Sequence, residues 1–82
     1  MSISAAQSRA ARALLNWSQQ RLCDAAGVGR ATLTNFEAEK SVPYERTLRD
    51  VRAALEEAGI IFIEEGEVAT GSGVLLRDQP SA

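Results

Sequence analysis

The chain has 82 residues, 45% of them hydrophobic and 24% charged, and a net charge of −2 at pH 7. That describes one small globular domain, which buries little more than half of its surface and gains from dimerisation. A single cysteine and no histidine exclude a disulfide framework and a Cys/His zinc site, and no apolar run approaches the roughly 20 residues that span a bilayer.

The charge is unevenly spread. Residues 1–53 hold eight basic and five acidic side chains, whereas residues 54–82 hold one basic and six acidic. A basic front and an acidic back suit a protein that meets phosphate with one side only. Met1 to Ser4 lack the basic start and apolar stretch of a signal peptide. With the lone thiol, this leads us to expect a cytoplasmic location.

Ser4 stands three residues before Gln7, the form of a capping box. A first helix is therefore expected from about Ser4 to Leu15, with Ala10, Ala11, Leu14 and Leu15 as its inner stripe. Asn16, Trp17 and Ser18 interrupt it. Ser18 is a good N-cap for a second helix, and Trp17 and Leu22 are placed to staple across its start. We read Trp17 as core, because a core this small depends on its one large aromatic.

The stretch from Gln19 to Ala38 reads as two short helices around a turn at Gly27, Val28 and Gly29. Leu22, Ala26 and Val28 pack the first helix and the turn, and Leu33 and Phe36 anchor the second. Cys23 is small, as required where the helices nearly touch. Gly27 supplies the positive φ that ends one helix. The second helix is left with a free face of Arg30, Ala31, Thr34 and Asn35. Glu37 falls on its inner side, and an acid there needs a partner; Arg12 on the first helix is best placed.

Glu39 to Pro43 form a loop. A fourth helix starts between Tyr44 and Thr47, where Thr47 to Asp50 offer another cap-like pattern. Its inward residues are Leu48, Val51, Leu55 and Ala58, and Gly59 stops it. The period then changes. Ile60, Ile61, Phe62 and Ile63, and later Val74, Leu75 and Leu76, read as the strands of a β-hairpin with a long loop over 64–73. Four apolar residues in a row ask for cover on both faces, and a second subunit is the economical source of it. Gln79 to Ala82 are expected to fray.

Taken together, Arg12, Ser18, Gln19, Leu22, Ala26, Gly27, Val28, Arg30, Thr32, Leu33, Phe36, Glu37, Pro43, Thr47 and Leu48 resemble the Cro/C1-type helix-turn-helix family, often called the XRE family. The resemblance runs ungapped from about Ser4 to Gly59. It implies a mainly α, compact four-helix, lambda-repressor-like domain over residues 1–59, with the motif at 19–38. Residues 60–82 lie beyond the motif, which does not predict them, and read as an appended β-hairpin for dimerisation with a tail. The resemblance further implies a homodimer on operator DNA, each subunit on one half-site, a phosphate contact from Gln19, base reading by the third helix, which opens at Gly29 or Arg30 and ends near Ala38, and an Arg12–Glu37 ion pair. Three positions depart from the family pattern. Gly29 stands where Ser or Thr usually caps the recognition helix, Cys23 where Ala is frequent, and Glu39 where Gly is common.

On this reading Arg30 suits guanine, Asn35 suits adenine, and Ala31 or Thr34 suits a thymine methyl. Gln19, Gly29, Thr32, Lys40, Ser41 and Arg46 would hold phosphates. The alternative is an antitoxin or adaptor that uses the same domain to meet a protein partner, whether a toxin, an antiactivator or RNA polymerase. No cofactor and no membrane are expected. An enzyme is disfavoured, because there is no histidine, no phosphate-binding glycine loop and no pair of acids on an inner face.

Overall fold

The computed structural model describes residues 3–64 and 71–77. Its elements are α1 (Ala5–Leu15), α2 (Gln19–Ala26), α3 (Arg30–Glu37), α4 (Glu45–Glu57), β1 (Ile60–Ile63) and β2 (Gly73–Leu76). The architecture is mainly helical, with one antiparallel two-stranded sheet. Most of the expected loop over 64–73, and the expected tail from Gln79, lie outside the described residues.

The start of α1 is a reciprocal capping box. Ser4 Oγ accepts from the Gln7 backbone N–H at 3.1 Å, and Gln7 Oε1 accepts from the Ser4 N–H at 3.0 Å. That leaves the Gln7 amide nitrogen to donate across the fold, to the carbonyls of Gly73 (3.1 Å) and Ile63 (3.4 Å). One side chain thus caps α1 and ties the hairpin to it. The inner face of α1 is Ala5, Gln7, Ser8 and Ala11. Ala10 is exposed and Leu14 is 45% exposed, which corrects the expected stripe. The helix is rotated because Ser8 and Arg12 must meet the buried acid of α3, and Ala11, fully buried, sits among the core residues.

Two left-handed residues shape the motif. Asn16 (φ 62°) ends α1, and Gly27 (φ 71°) ends α2, with the N–H groups of Gly27 and Val28 both donating to the Cys23 carbonyl. Ser18 caps α2 by accepting from the Arg21 N–H at 3.0 Å. Trp17 is half-buried against the core, and the Arg21 guanidinium lies 4.9 Å from its ring centre. Glu39 follows α3 with φ 61°, a conformation that glycine adopts more cheaply.

At α4 the N-cap position is Tyr44, with no side-chain cap. The pattern at Thr47 is therefore not a helix start, since Thr47 already lies in the first turn. Leu48, Val51 and Leu55 point into the core. Arg52 spans Glu56 (3.1 Å) and Glu64 (3.5 Å) and lies over the Phe62 ring. Gly59 (φ 110°) turns the chain into β1.

The hairpin pairs Ile60 with Leu76, Ile61 with Leu75, Phe62 with Val74 and Ile63 with Gly73. Strand alternation puts Ile60 and Phe62 on the helices, where they are 2% and 7% exposed. They share one cluster with Leu22, Leu33, Phe36, Leu48, Val51 and Leu55. The hairpin is therefore part of the core, not an appendage to it. The other face carries Ile61 (43% exposed) and Leu75 (53%).

The centre of the helical part is ionic. Glu37 is 3% exposed. Its Oε1 accepts from Arg12 Nη2 (2.6 Å) and Nε (3.1 Å) and from Gln19 Nε2 (3.1 Å). Its Oε2 accepts from Arg12 Nε (3.0 Å) and from Ser8 Oγ. Arg12 Nη1 also donates to the Trp17 carbonyl, and Arg9 donates to the backbone carbonyl of Glu37. Among the described residues, no buried side-chain polar atom lacks a partner. Burial pushes the Glu37 carboxyl pKa up, but the hydrogen bonds from Arg12, Ser8 and Gln19 outweigh it and hold it below the ordinary value.

Two expectations follow for stability. An unfolded glutamate titrates at about 4.3, and folded Glu37 lies below the ordinary value. Its contribution is thus complete above the unfolded pKa and drains away as pH falls through the folded pKa. Glu37→Gln should cost roughly 3–5 kcal/mol at neutral pH and flatten the acid limb of stability, as read by urea unfolding across pH. The backbone gives the second expectation. Gly27→Ala should cost about 1 kcal/mol from φ alone, since an added Cβ meets nothing within 4 Å. Glu39→Gly should instead raise stability by up to about 1 kcal/mol, and thermal melts of the two variants should shift in opposite directions.

Candidate nucleic-acid interface

Helix α3 buries Leu33, Phe36 and Glu37 and leaves the rest outside. Arg30, Ala31, Thr34 and Asn35 are all exposed and share one face by helical spacing. This row presents a guanidinium, a methyl, a hydroxyl and an amide, four different chemistries on one exposed face.

The row is buttressed from α2. Thr34 Oγ1 donates to Gln19 Oε1 at 3.1 Å, and the Gln19 amide nitrogen is the one bound to Glu37. Gln19 therefore connects the buried carboxylate to the outer face. Arg30 Nη1 donates to Gln20 Oε1 at 3.2 Å, and Gln20 Nε2 donates to Asp24 Oδ1 at 2.9 Å. Gly29 occupies the N-cap of α3 and supplies no side-chain cap.

Beside the row runs an open groove of about 450 Å³ between α3 and the start of α4. Ala31, Thr32 and Asn35 form one wall, and Ser41, Val42, Pro43, Tyr44 and Thr47 the other. The Asn35 carbonyl accepts from the N–H groups of Lys40 (2.9 Å) and Ser41 (3.4 Å), which folds the loop back onto the end of α3. Ser41 is exposed in the second wall, and Lys40 and Arg46, also exposed, are chain neighbours of the lining residues Ser41 and Thr47. The carboxylate of Glu39 is drawn toward Arg9 on α1, 3.6 Å away.

Sequence reasoning assigned no role here to Val42 or Tyr44, yet each is 83% exposed at the groove. A tyrosine beside a proline in a loop that precedes a helix is the available signal. Gln20 lies in the first turn of α2, and its bond to Arg30 spans two helices. Of the hairpin residues expected at a dimer interface, Ile60 and Phe62 are consumed by the chain's own core, because they occupy the inward face of β1. Ile61, Leu75 and Leu76 are exposed, and Ile63 and Val74 are half-buried.

Cys23 is 3% exposed, and its thiol pKa is raised chiefly by burial, which suits packing and not nucleophilic chemistry. Among the described residues there is no group of three His, Cys, Asp or Glu side chains arranged to hold a metal, and no helix is long and apolar enough to cross a membrane.

A search of curated proteins finds no match. A family model described as helix-turn-helix matches residues 9–59, well over half of the chain and the whole of the α2–α3 unit with its supports on α1 and α4. With an exposed α3 row seated on a buried ion pair, the chain belongs to the Cro/C1-type helix-turn-helix family of DNA-binding transcription regulators.

Proposed function

We propose that this protein is a homodimeric regulator that binds an operator in double-stranded DNA, each subunit reading one half-site with α3 in the major groove. The observation that carries the reading is the unobstructed row of Arg30, Ala31, Thr34 and Asn35 on a helix whose opposite side is locked into the core. Arg30 offers guanine a two-pronged donor, Asn35 pairs with adenine, and Ala31 or Thr34 touches a thymine methyl. Gln19, Gly29, Thr32, Lys40, Ser41 and Arg46 border the row and hold phosphates, which sets register without reading sequence. Half-site centres then fall about 34–36 Å apart, one helical turn of DNA.

The second subunit docks on the outer face of the hairpin. Ile61 and Leu75 are cross-strand partners there, and both are exposed. The same surface favours a second reading, in which a protein partner such as a toxin, an antiactivator or RNA polymerase takes that face, as in an antitoxin or adaptor. The work is done in the cytoplasm, and it is binding rather than catalysis; the lack of any histidine supports that view.

Arg30→Ala should remove about 1–3 kcal/mol of discrimination at one base pair per half-site while the circular dichroism spectrum stays native. Binding titrations on duplexes selected from a random pool check this, and an unchanged base preference would take Arg30 out of the interface. Leu75→Glu should give a folded monomer in sedimentation with weakened operator binding. A variant that still sediments as a dimer would move the interface away from the hairpin.

A further inference from the structure

Arg30 is the first residue of α3, and its side chain has many rotatable bonds and lies on the open surface. An arginine in that situation loses considerable rotamer freedom when it docks on a base. Arg30 forms no ion pair among the described residues. Among the described residues its side chain meets Gln20 on the preceding helix, whose Oε1 accepts from Nη1 at 3.2 Å.

An amide has an acceptor end and a donor end, so its orientation decides whether it attracts a guanidinium or opposes it. Asp24, one turn further along α2, sets that orientation. Its Oδ1 accepts from Gln20 Nε2 at 2.9 Å. An ionised carboxylate only accepts, so the amide nitrogen must face Asp24 and the oxygen must face Arg30. Gln20 takes a hydrogen on one terminal nitrogen and leaves the other guanidinium donors for a base.

We infer that Asp24 and Gln20 form a positioning relay that presets the Arg30 fork, so that base preference at one position depends on two residues that read no base themselves. This rests on the reading above that α3 enters the major groove. An i, i+4 Gln–Asp pair can also serve a helix alone, but such a role would alter stability and leave base preference untouched. Asp24 gives a further contrast. A carboxylate on the α2 side of the interface repels phosphate, so its removal strengthens binding to every duplex alike; only the relay makes the same removal blunt the choice of base.

The test uses the full chain, a duplex selected from a random pool by the wild-type protein, and the set of single base-pair changes in that duplex. Gln20→Ala should lower discrimination about three- to tenfold at the base pair whose preference disappears in Arg30→Ala, and at no other. Asp24→Ala should cause a similar loss at that base pair while its affinity for random duplex rises. Asp24→Asn keeps an acceptor oxygen but adds a donor that lets the Gln20 amide reverse, so its discrimination at that base pair should fall between wild type and Asp24→Ala. In an Arg30→Ala background, neither Gln20→Ala nor Asp24→Ala should change that position further. If Arg30→Ala erases one preference and Gln20→Ala leaves it intact, or lowers all positions equally, the relay is overturned and the major-groove reading stands. If Arg30→Ala alters no preference, Arg30 leaves the interface and the relay falls with it; if the pool yields no enriched sequence, the relay and the major-groove reading fall together.

Discussion

The fold depends on one buried carboxylate. Glu37 sits where α1, α2 and α3 converge, and every lone pair that water would have satisfied must be met by protein. Arg12 supplies a fork from α1, Ser8 a hydroxyl from the same helix, and Gln19 an amide from α2. Such an arrangement is weak evidence for stability, because desolvating both charges offsets most of their attraction. Its value lies in geometry. A carboxylate with this many directed partners is satisfied in one arrangement of the three helices, and sliding or rotating any of them strands a buried polar group.

That constraint reaches the outer surface by a short path. Gln19 donates to Glu37 with its nitrogen and accepts from Thr34 with its oxygen. The eight-residue α3 is too short to persist as an isolated helix, and Gly29 gives it no side-chain cap. Leu33 and Phe36 hold it from beneath and Glu37 fixes its rotation, so the face of Arg30 and Asn35 is aimed by the interior. A helix that reads bases gains from this, because its exposed side chains need not pack against anything else in the protein.

The hairpin plays two parts on its two faces. Inward, Ile60 and Phe62 close the core beyond the point where the family match ends, and Gln7 fastens the strands to α1. Outward, Ile61 and Leu75 remain in water. An apolar pair in the middle of a two-stranded sheet is costly to leave exposed, and it gives this small domain a surface on which association can add to a limited core. The acid-rich end of the chain is partly engaged within the fold, where Arg52 bridges Glu56 and Glu64 over Phe62.

Local chemistry was legible in the amino-acid order. Ser4 with Gln7, Ser18 before an apolar run, and Gly27 after one carry their meaning within a single helical turn, so the helix ends could be read from them. The spacing of Leu48, Val51 and Leu55 likewise determines which side of α4 is buried, and the change to consecutive apolar residues after Gly59 determines that strands follow. Contacts between elements were decided only by the tertiary structure. The stripe on α1 turned away from Ala10 and Leu14 because Ser8 and Arg12 had to reach an acid more than twenty residues later. Ile60 and Phe62 went inward, which residue type alone cannot distinguish from Ile61. Gln20 acquired Arg30 as a partner through the angle between two helices. Periodicity and capping act over three or four residues, whereas hydrogen-bond satisfaction acts between whatever surfaces the chain brings together, and only the folded chain specifies those.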